Sequence, residues 1–238
     1  MLIFALLLHT NFRMKEFLFT ETNPSFFYDD KNWAGLHILK EKCSDIRKEL
    51  EVLLSKSGSG FWLNTFPDYL SEDSKNKWQV FTFRFFGIRH TLNCRTCPVT
   101  ASILSKIPGL ISADFSYLPA RTKIKPHVGF TKMVLRVHLG LIIPEQCGIR
   151  VGTETKSWQE GELIIFDDSF EHEAWNNSNQ DRFVLMLDIA NPLWKYTADE
   201  ICRYKIENLE DKFMLSIFPK EKWLEFYTKK EFDVPEMK

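Results

Sequence analysis

Met133-Val134-Leu135-Arg136-Val137-His138-Leu139-Gly140-Leu141-Ile142-Ile143 alternates with a period of two. In an extended strand Met133, Leu135, Val137, Leu139 and Leu141 share one face, and Val134, Arg136, His138 and Gly140 share the other. The first is a core face. The second carries an arginine and a histidine side by side; it is either an outward polar face or the lining of a hollow interior, where both groups would need an anion. Residues 182–189 repeat the pattern, with Arg182, Val184, Met186 and Asp188 opposite Phe183, Leu185, Leu187 and Ile189. Further short runs at 111–118, 147–152, 162–167 and 170–175 read as strands. With no long helix between them, they predict a mainly β domain with flanking helices, an antiparallel sandwich or jelly roll.

Outward from this block the periodicity turns helical. Leu36, Leu39, Cys43, Ile46, Leu50 and Leu53 recur at spacings of three and four, which predicts one amphipathic helix over 34–55 ended by Ser57-Gly58-Ser59-Gly60. Residues 61–96 are rich in aromatics, and Phe81, Phe83 and Phe85 alternate as a strand with one buried face. A short helix is expected after Pro98 with Ile103, Leu104 and Ile107 inward, and another after Pro192 through Tyr196, Ile201, Tyr204 and Ile206. The chain thus divides into an N-terminal segment, 1–77, packed on the core, a mainly β domain, 78–195, and a helical C-terminal extension, 196–238. Thirty-one basic against thirty-two acidic residues give no electrostatic footprint for nucleic acid.

Five cysteines, an odd number in a chain long enough to bury a core, point to reduced thiols and a cytoplasmic protein. Cys94 and Cys97 form a lone C-x-x-C with no second pair to complete a zinc site, so a structural role is expected. Met1 to Leu8 are all apolar, but the run is far short of the roughly 20 residues that span a bilayer. It also lacks the basic lead and small-residue cleavage site of a signal peptide. Met14 is an alternative start, and membrane association through Met1–Leu8 is the secondary expectation.

Two histidines stand out against this frame. His127 follows Pro126 at a tip between two strands, and His172 follows the strand 162–167 and the acidic pair Asp167-Asp168. Both can offer neutral imidazole to one metal ion, and Arg182, ten residues on, can hold a carboxylate. Gly129 occupies the place where a non-heme iron site ordinarily carries an Asp or Glu.

These segments resemble the aspartyl/asparaginyl β-hydroxylases, a family of iron(II)- and 2-oxoglutarate-dependent dioxygenases. The matching blocks are Pro126-His127-Val128-Gly129, Leu135 to Leu141, Trp158 with Glu160-Gly161, and Phe166 to Trp175, followed by Arg182. The resemblance covers roughly 78–195 and implies a double-stranded β-helix of jelly-roll, cupin-like type. It implies that His127 and His172 ligate iron(II), that Arg182 and Ser116 hold the far carboxylate of 2-oxoglutarate, and that Arg136 and His138 contact its metal-bound end. Asp168 would steady a metal-bound water without ligating the metal itself. The cosubstrates would be 2-oxoglutarate and O2, and the reaction an oxidative decarboxylation that hydroxylates an unactivated C–H bond.

His-x-Gly resembles the aspartyl/asparaginyl branch, whereas lipid A 2-hydroxylases in the same family look like His-x-Asp. The expected substrate is therefore the β-carbon of an aspartyl or asparaginyl residue in a peptide or protein, or a small aspartyl-like metabolite. On this reading Gly129→Asp is expected to be tolerated by the fold while altering iron affinity. The animal peptide hydroxylases carry a wider-spaced cysteine pair whose second position is Ala101 here, so their disulfide cannot form and the secretory-pathway setting does not carry over. Two alternatives remain: a lipid or fatty-acyl hydroxylase, prompted by Met1–Leu8, and a non-catalytic jelly-roll binding module. Residues that select the substrate are expected in 61–96 and in the helical ends.

Overall fold

The computed structural model describes residues 25–56, 62–71 and 77–232. The apolar run at Met1–Leu8, Met14 and the Ser57–Gly60 helix stop lie outside the described residues. Among them run thirteen strands: β1 (Phe27–Tyr28), β2 (Leu63–Asn64), β3 (Gln79–Phe85), β4 (Ile88–His90), β5 (Leu110–Leu118), β6 (Thr122–His127), β7 (Val134–Ile142), β8 (Cys147–Val151), β9 (Glu154–Lys156), β10 (Leu163–Phe166), β11 (His172–Asn176), β12 (Arg182–Ala190) and β13 (Glu231–Phe232). The large sheet has the order β1-β10-β7-β12-β5-β3-β4-β13, with β2 also on β3, and the small sheet the order β6-β11-β8-β9. Every pairing is antiparallel except β13 with β4. The two sheets face each other across a shared apolar cluster that includes Val80, Ile124, Ile149, Val151, Phe166 and Val184. This is the expected double-stranded β-helix, or jelly roll.

Strand β12 is the spine. It pairs with β5 and β7 at once, setting Val184 opposite Ser116, Met186 opposite His138 and Asp188 opposite Arg136. Because directly opposed residues share a face, Ser116, Arg136, His138, Arg182 and Asp188 all project into the space between the sheets. That settles the alternative left open by alternation: Arg136 and His138 line a hollow interior. The odd-numbered residues of β7, Leu135, Val137, Leu139 and Leu141, are buried on the opposite face beneath the helices.

Those helices are α1 (His37–Glu41), α2 (Cys43–Ser55), α3 (Thr91–Thr96) and α4 (Pro98–Leu104). The single helix expected over 34–55 is a 3-10 turn followed by α1 and α2, interrupted at Lys42, where ψ rises to 11°. Leu39, Ile46, Leu50 and Leu53 are buried against Phe81, Phe115 and the odd face of β7. Glu49 ties α2 to α4, accepting from the Val99 and Thr100 backbone N–H groups at 2.9 and 2.7 Å, donors that a helix start otherwise leaves unpaired. Cys94 and Cys97 are buried in this outer cluster as free thiols. Burial pushes the Cys97 thiol up to about 12, so the pair packs and does not react.

The C-terminal helices α5 (Ala198–Glu207), α6 (Lys212–Ile217) and α7 (Lys220–Lys229) close one end of the sandwich around Ile88, Ile111, Val134, Ile206, Trp223 and Phe226. Helix α5 begins with a capping box in which Thr197 and Glu200 exchange side-chain and backbone hydrogen bonds. Among the described residues no helix is long and apolar enough to cross a membrane.

Leu50 has no exposed surface and touches the layer that supports β7. Leu50→Ala is expected to cost about 3 kcal/mol through lost transfer energy and an unfilled cavity, read as a lower denaturation midpoint with an unchanged m-value.

Candidate active site

His127 ends β6 and His172 begins β11, and the two strands pair so that these residues stand directly opposite each other. Their ring centroids are 4.1 Å apart. β6 is the edge strand of the small sheet, where Pro126 can lack an N–H without breaking a ladder bond. The register shifts between His172 and Ala174, leaving β6 one residue longer opposite them. His127 is therefore not at a free tip, as its sequence suggested, but is fixed across from its partner.

The tautomers follow from the neighbours. His127 Nδ1 lies 2.8 Å from the Lys125 carbonyl and His172 Nδ1 lies 3.0 Å from the Phe170 carbonyl. A carbonyl only accepts, so each Nδ1 carries the proton and each Nε2 keeps a lone pair. Burial keeps both rings neutral, pushing His172 down to about 3, with the Arg136 charge adding to the effect. Two adjacent neutral Nε2 donors suit a divalent metal. Among the described residues no third imidazole, thiolate or carboxylate joins them to make a three-ligand cluster. Tyr69 stacks on His127 with ring centroids 4.4 Å apart; no motif marked it in the sequence.

Asp168 is held by a turn in which Asp167 Oδ1 accepts from the Ser169 N–H at 2.9 Å. Its carboxyl is buried: Oδ2 pairs with Arg136 Nη2 at 3.1 Å, while Oδ1 has no hydrogen-bond partner. Its backbone carbonyl accepts from the Gly129 N–H at 2.7 Å, so the two segments touch here. A Cβ added to Gly129 would overlap the Asp168 carboxyl group. The space that a ligand side chain at 129 would need is filled by Asp168. Gly129→Asp therefore requires Asp168 to shift, a cost that the expectation of a tolerant fold did not include.

The resemblance assigned Arg136 to the metal-bound end of a cosubstrate, but the structure gives it other partners. It pairs with Asp188 through Nε at 2.9 Å and Nη2 at 3.3 Å, besides Asp168. Its fork is occupied by two carboxylates, and its visible work is to orient Asp168. Asp188, across β12, was named in the sequence only as a face-mate of Arg182.

His138 and Arg182 are in the opposite situation. Trp158 Nε1 donates to His138 Nδ1 at 3.2 Å; an indole can only donate, so the His138 proton sits on Nε2, which is buried without a partner. Arg182 is 2% exposed, with no carboxylate at salt-bridge distance among the described residues. Its Nε is unsatisfied, its guanidinium lies 4.9 Å from the Trp158 ring centroid, and its one weak hydrogen bond is to the Ser116 carbonyl at 3.5 Å. Burial pushes it down to about 10. Ser116 Oγ accepts from Trp78 Nε1 at 3.0 Å, which leaves its own proton to give. Trp158 is delivered by the Glu160-Gly161 stretch, which crosses β7 where Gly140 leaves room: the Gly161 N–H donates to the Gly140 carbonyl at 2.9 Å.

Beside the histidines, on the other side of Asp168, opens a chamber of about 450 Å³. His127, Gly129, Arg136, Asp168 and Asp188 line its inner end, and Asn93, Ser112 and Asp114 its floor. Aromatic and aliphatic side chains from 62–86 and from the C-terminal helices, among them Phe66, Phe85, Phe213, Ile217 and Trp223, form the rest. Burial and the nearby Asp188 push Asp114 up to about 7.

The jelly roll thus brings two metal-competent histidines and a buried, unpaired arginine to one interior. Residues 40–192 match the family model described as Aspartyl/Asparaginyl beta-hydroxylase, and the chain belongs to that family. Among its relatives is an ornithine lipid ester-linked acyl 2-hydroxylase from Rhizobium tropici, 38% identical over 174 residues, covering 70% of this chain and 60% of the relative. The aspartyl/asparaginyl beta-hydroxylase of Homo sapiens is 38% identical over 134 residues, covering 52% of this chain and 18% of the relative. The aspartate beta-hydroxylase domain-containing protein 2 of Mus musculus is 31% identical over 185 residues, with 72% and 52% covered. The chain thus spans between about a fifth and three fifths of these relatives. Among solved structures, a 2OG-Fe(II) oxygenase family oxidoreductase from Burkholderia pseudomallei has a TM-score of 0.41 at 9% identity, covering 51% of this chain and 71% of that one.

Gly129→Ala is expected to displace Asp168, lower the unfolding midpoint, and weaken iron(II) binding measured anaerobically by titration. An alanine variant with wild-type stability and metal affinity would show that the contact with Asp168 is not a constraint.

Proposed function

We propose that the protein is an iron(II)- and 2-oxoglutarate-dependent dioxygenase that hydroxylates a saturated carbon of an acyl chain. The observation that carries the dependence on 2-oxoglutarate is Arg182. A buried guanidinium without an acid is unfavourable by several kcal/mol unless a ligand supplies the charge, and this one points into the same interior as Ser116, His138 Nε2 and the two metal-competent imidazoles. A dicarboxylate with a chelating keto acid at one end satisfies all of them.

His127 and His172 would hold iron(II) through Nε2. Arg182, aided by the Ser116 hydroxyl, would bind the far carboxylate, and His138 Nε2–H would donate to the same molecule nearer its keto acid. Asp168 Oδ1, unpaired and kept in place by Arg136, would accept a hydrogen bond from a water on that metal. When bound, iron(II), 2-oxoglutarate and O2 supply the oxidation, the cosubstrate leaving as succinate and carbon dioxide. The protein's part is to bind, orient and exclude bulk water.

The acyl reading is supported by the apolar walls of the chamber beside His127 and by the acyl 2-hydroxylase activity for which the Rhizobium tropici relative is named. The peptidyl reading, hydroxylation of an aspartyl or asparaginyl β-carbon, is second. The polar floor of Asn93, Ser112 and Asp114 favours it, since those groups could hydrogen-bond a peptide.

Two experiments test the proposal. Arg182→Met removes an unpaired buried charge, so it is expected to raise the midpoint of the cosubstrate-free protein by about 2–4 °C. 2-Oxoglutarate at about 100 times its Kd should stabilise the wild type by about 2.7 kcal/mol and the variant not at all.

With iron(II), ascorbate and 2-oxoglutarate, acyl amphiphiles should stimulate succinate release and gain one oxygen by mass. Their affinity should rise about fourfold per added methylene until the chamber is full. His172→Ala should abolish release. Stimulation by aspartyl peptides but not by acyl chains would select the second reading, and no succinate with either would leave a non-catalytic binding module.

A further inference from the structure

Two cationic side chains stand on the chamber wall, Arg136 and Lys205. Arg136 is spent on Asp168 and Asp188. Lys205 is not spent. It rises from α5, half-buried, with Nζ 4.7 Å from the Phe130 ring centroid and 5.7 Å from that of Phe86. Among the described residues no carboxylate comes within 4 Å of it. The acid that acts on it electrostatically is Asp211, which also lines the chamber and whose Oδ1 caps α6 by accepting from the Met214 N–H at 2.9 Å.

An ammonium drawn out of water and resting on two ring faces gains a modest attraction from them. An anionic oxygen would be a stronger partner. The surroundings say what would carry that oxygen. Phe130 and Val128, two of the three residues after His127, are 40% and 55% exposed, so an apolar rim reaches solvent next to Lys205. Inward from it the wall is Phe86, Phe213, Met214 and Ile217. A ligand that satisfies both features has an apolar body and one anionic group.

We propose that Lys205 is the anchor for the anionic head group, carboxylate or phosphate, of an amphiphilic substrate whose chain lies in the aromatic chamber. The proposal rests on the acyl reading above and adds the charge that the substrate carries. It makes Lys205 a specificity-determining residue. The residue also lies beyond the 40–192 stretch that matches the family model, so the preference belongs to this chain's C-terminal helices.

Trp223 and Trp78 on the chamber wall make binding visible without turnover, through quenching of tryptophan fluorescence by bromine at the end of a chain. The probes are ω-bromododecanoate, ω-bromododecyl phosphate and the neutral ω-bromododecanol, each titrated into the full chain. The wild type is expected to bind one or both anionic probes at least about tenfold more tightly than the alcohol, equivalent to about 1.4 kcal/mol; which anion is preferred tells a carboxylate head from a phosphate. Lys205→Met should erase that preference while binding the alcohol within about twofold of wild type, and Lys205→Arg should retain most of it. Equal binding of all three probes by the wild type, or a preference that survives Lys205→Met, overturns the anchor while leaving the acyl reading intact. Failure of every probe to quench overturns the acyl reading, and the anchor with it.

Discussion

The arrangement of the site depends on one arginine. Arg136 joins strand β7 to β12 through Asp188 and joins both to the β10–β11 turn through Asp168. Asp168 is buried and its two partners nearly so, and removing Arg136 would leave two carboxylates uncompensated at a cost of about 3–5 kcal/mol. Asp168 then fixes the other side. Its carboxyl fills the space above Gly129 and its carbonyl takes the Gly129 N–H, so the loop after His127 has one place to go. The imidazole position is thus determined from two directions, by the pairing of β6 with β11 and by an ion pair that begins on the opposite sheet.

The absence of a carboxylate at 129 has a structural counterpart. In place of an acid at 129, the chain sets Asp168 against Gly129, oriented by Arg136 and with Oδ1 unpaired. On the proposed reading the charge has moved outward by one layer of water. Iron would be held by two neutral donors, and the balance of charge would come from Asp168 and the cosubstrate.

Much of this was legible in the sequence because alternation is a strict rule. Period two in 133–143 and 182–189 gave the strands, and it put Arg136 with His138 and Arg182 with Asp188 on common faces. It could not say whether those faces look inward, because a polar face in water and a polar lining around a ligand have the same period. β6 escaped notice since Thr122-Lys123-Ile124-Lys125-Pro126-His127 has a lone aliphatic residue, Ile124, and carries a proline, features of an edge strand that also describe a loop. The break at Lys42 carries no glycine or proline to announce it. Tyr69 and Lys205 left no signal, since their roles come from what the fold brings against them. Gly129 was read as a gap, and only packing reveals that the gap is filled by another residue.

The interior has two compartments with opposite electrostatic needs. Around Arg182, His138 and Ser116 there are donors without acceptors, built from β5, β7 and β12, all inside the stretch that matches the family. Around the chamber there are aromatic walls, four carboxylates and one unspent ammonium, and the far wall comes from α5, α6 and α7 outside that stretch. A dicarboxylate cosubstrate fits the first set of needs and not the second. The substrate must therefore be read from the second alone, and the residues that decide it are the ones a family resemblance describes least. Fold and cosubstrate chemistry can be shared across relatives that act on different molecules, because the part that grips the substrate is attached to the barrel rather than woven into it.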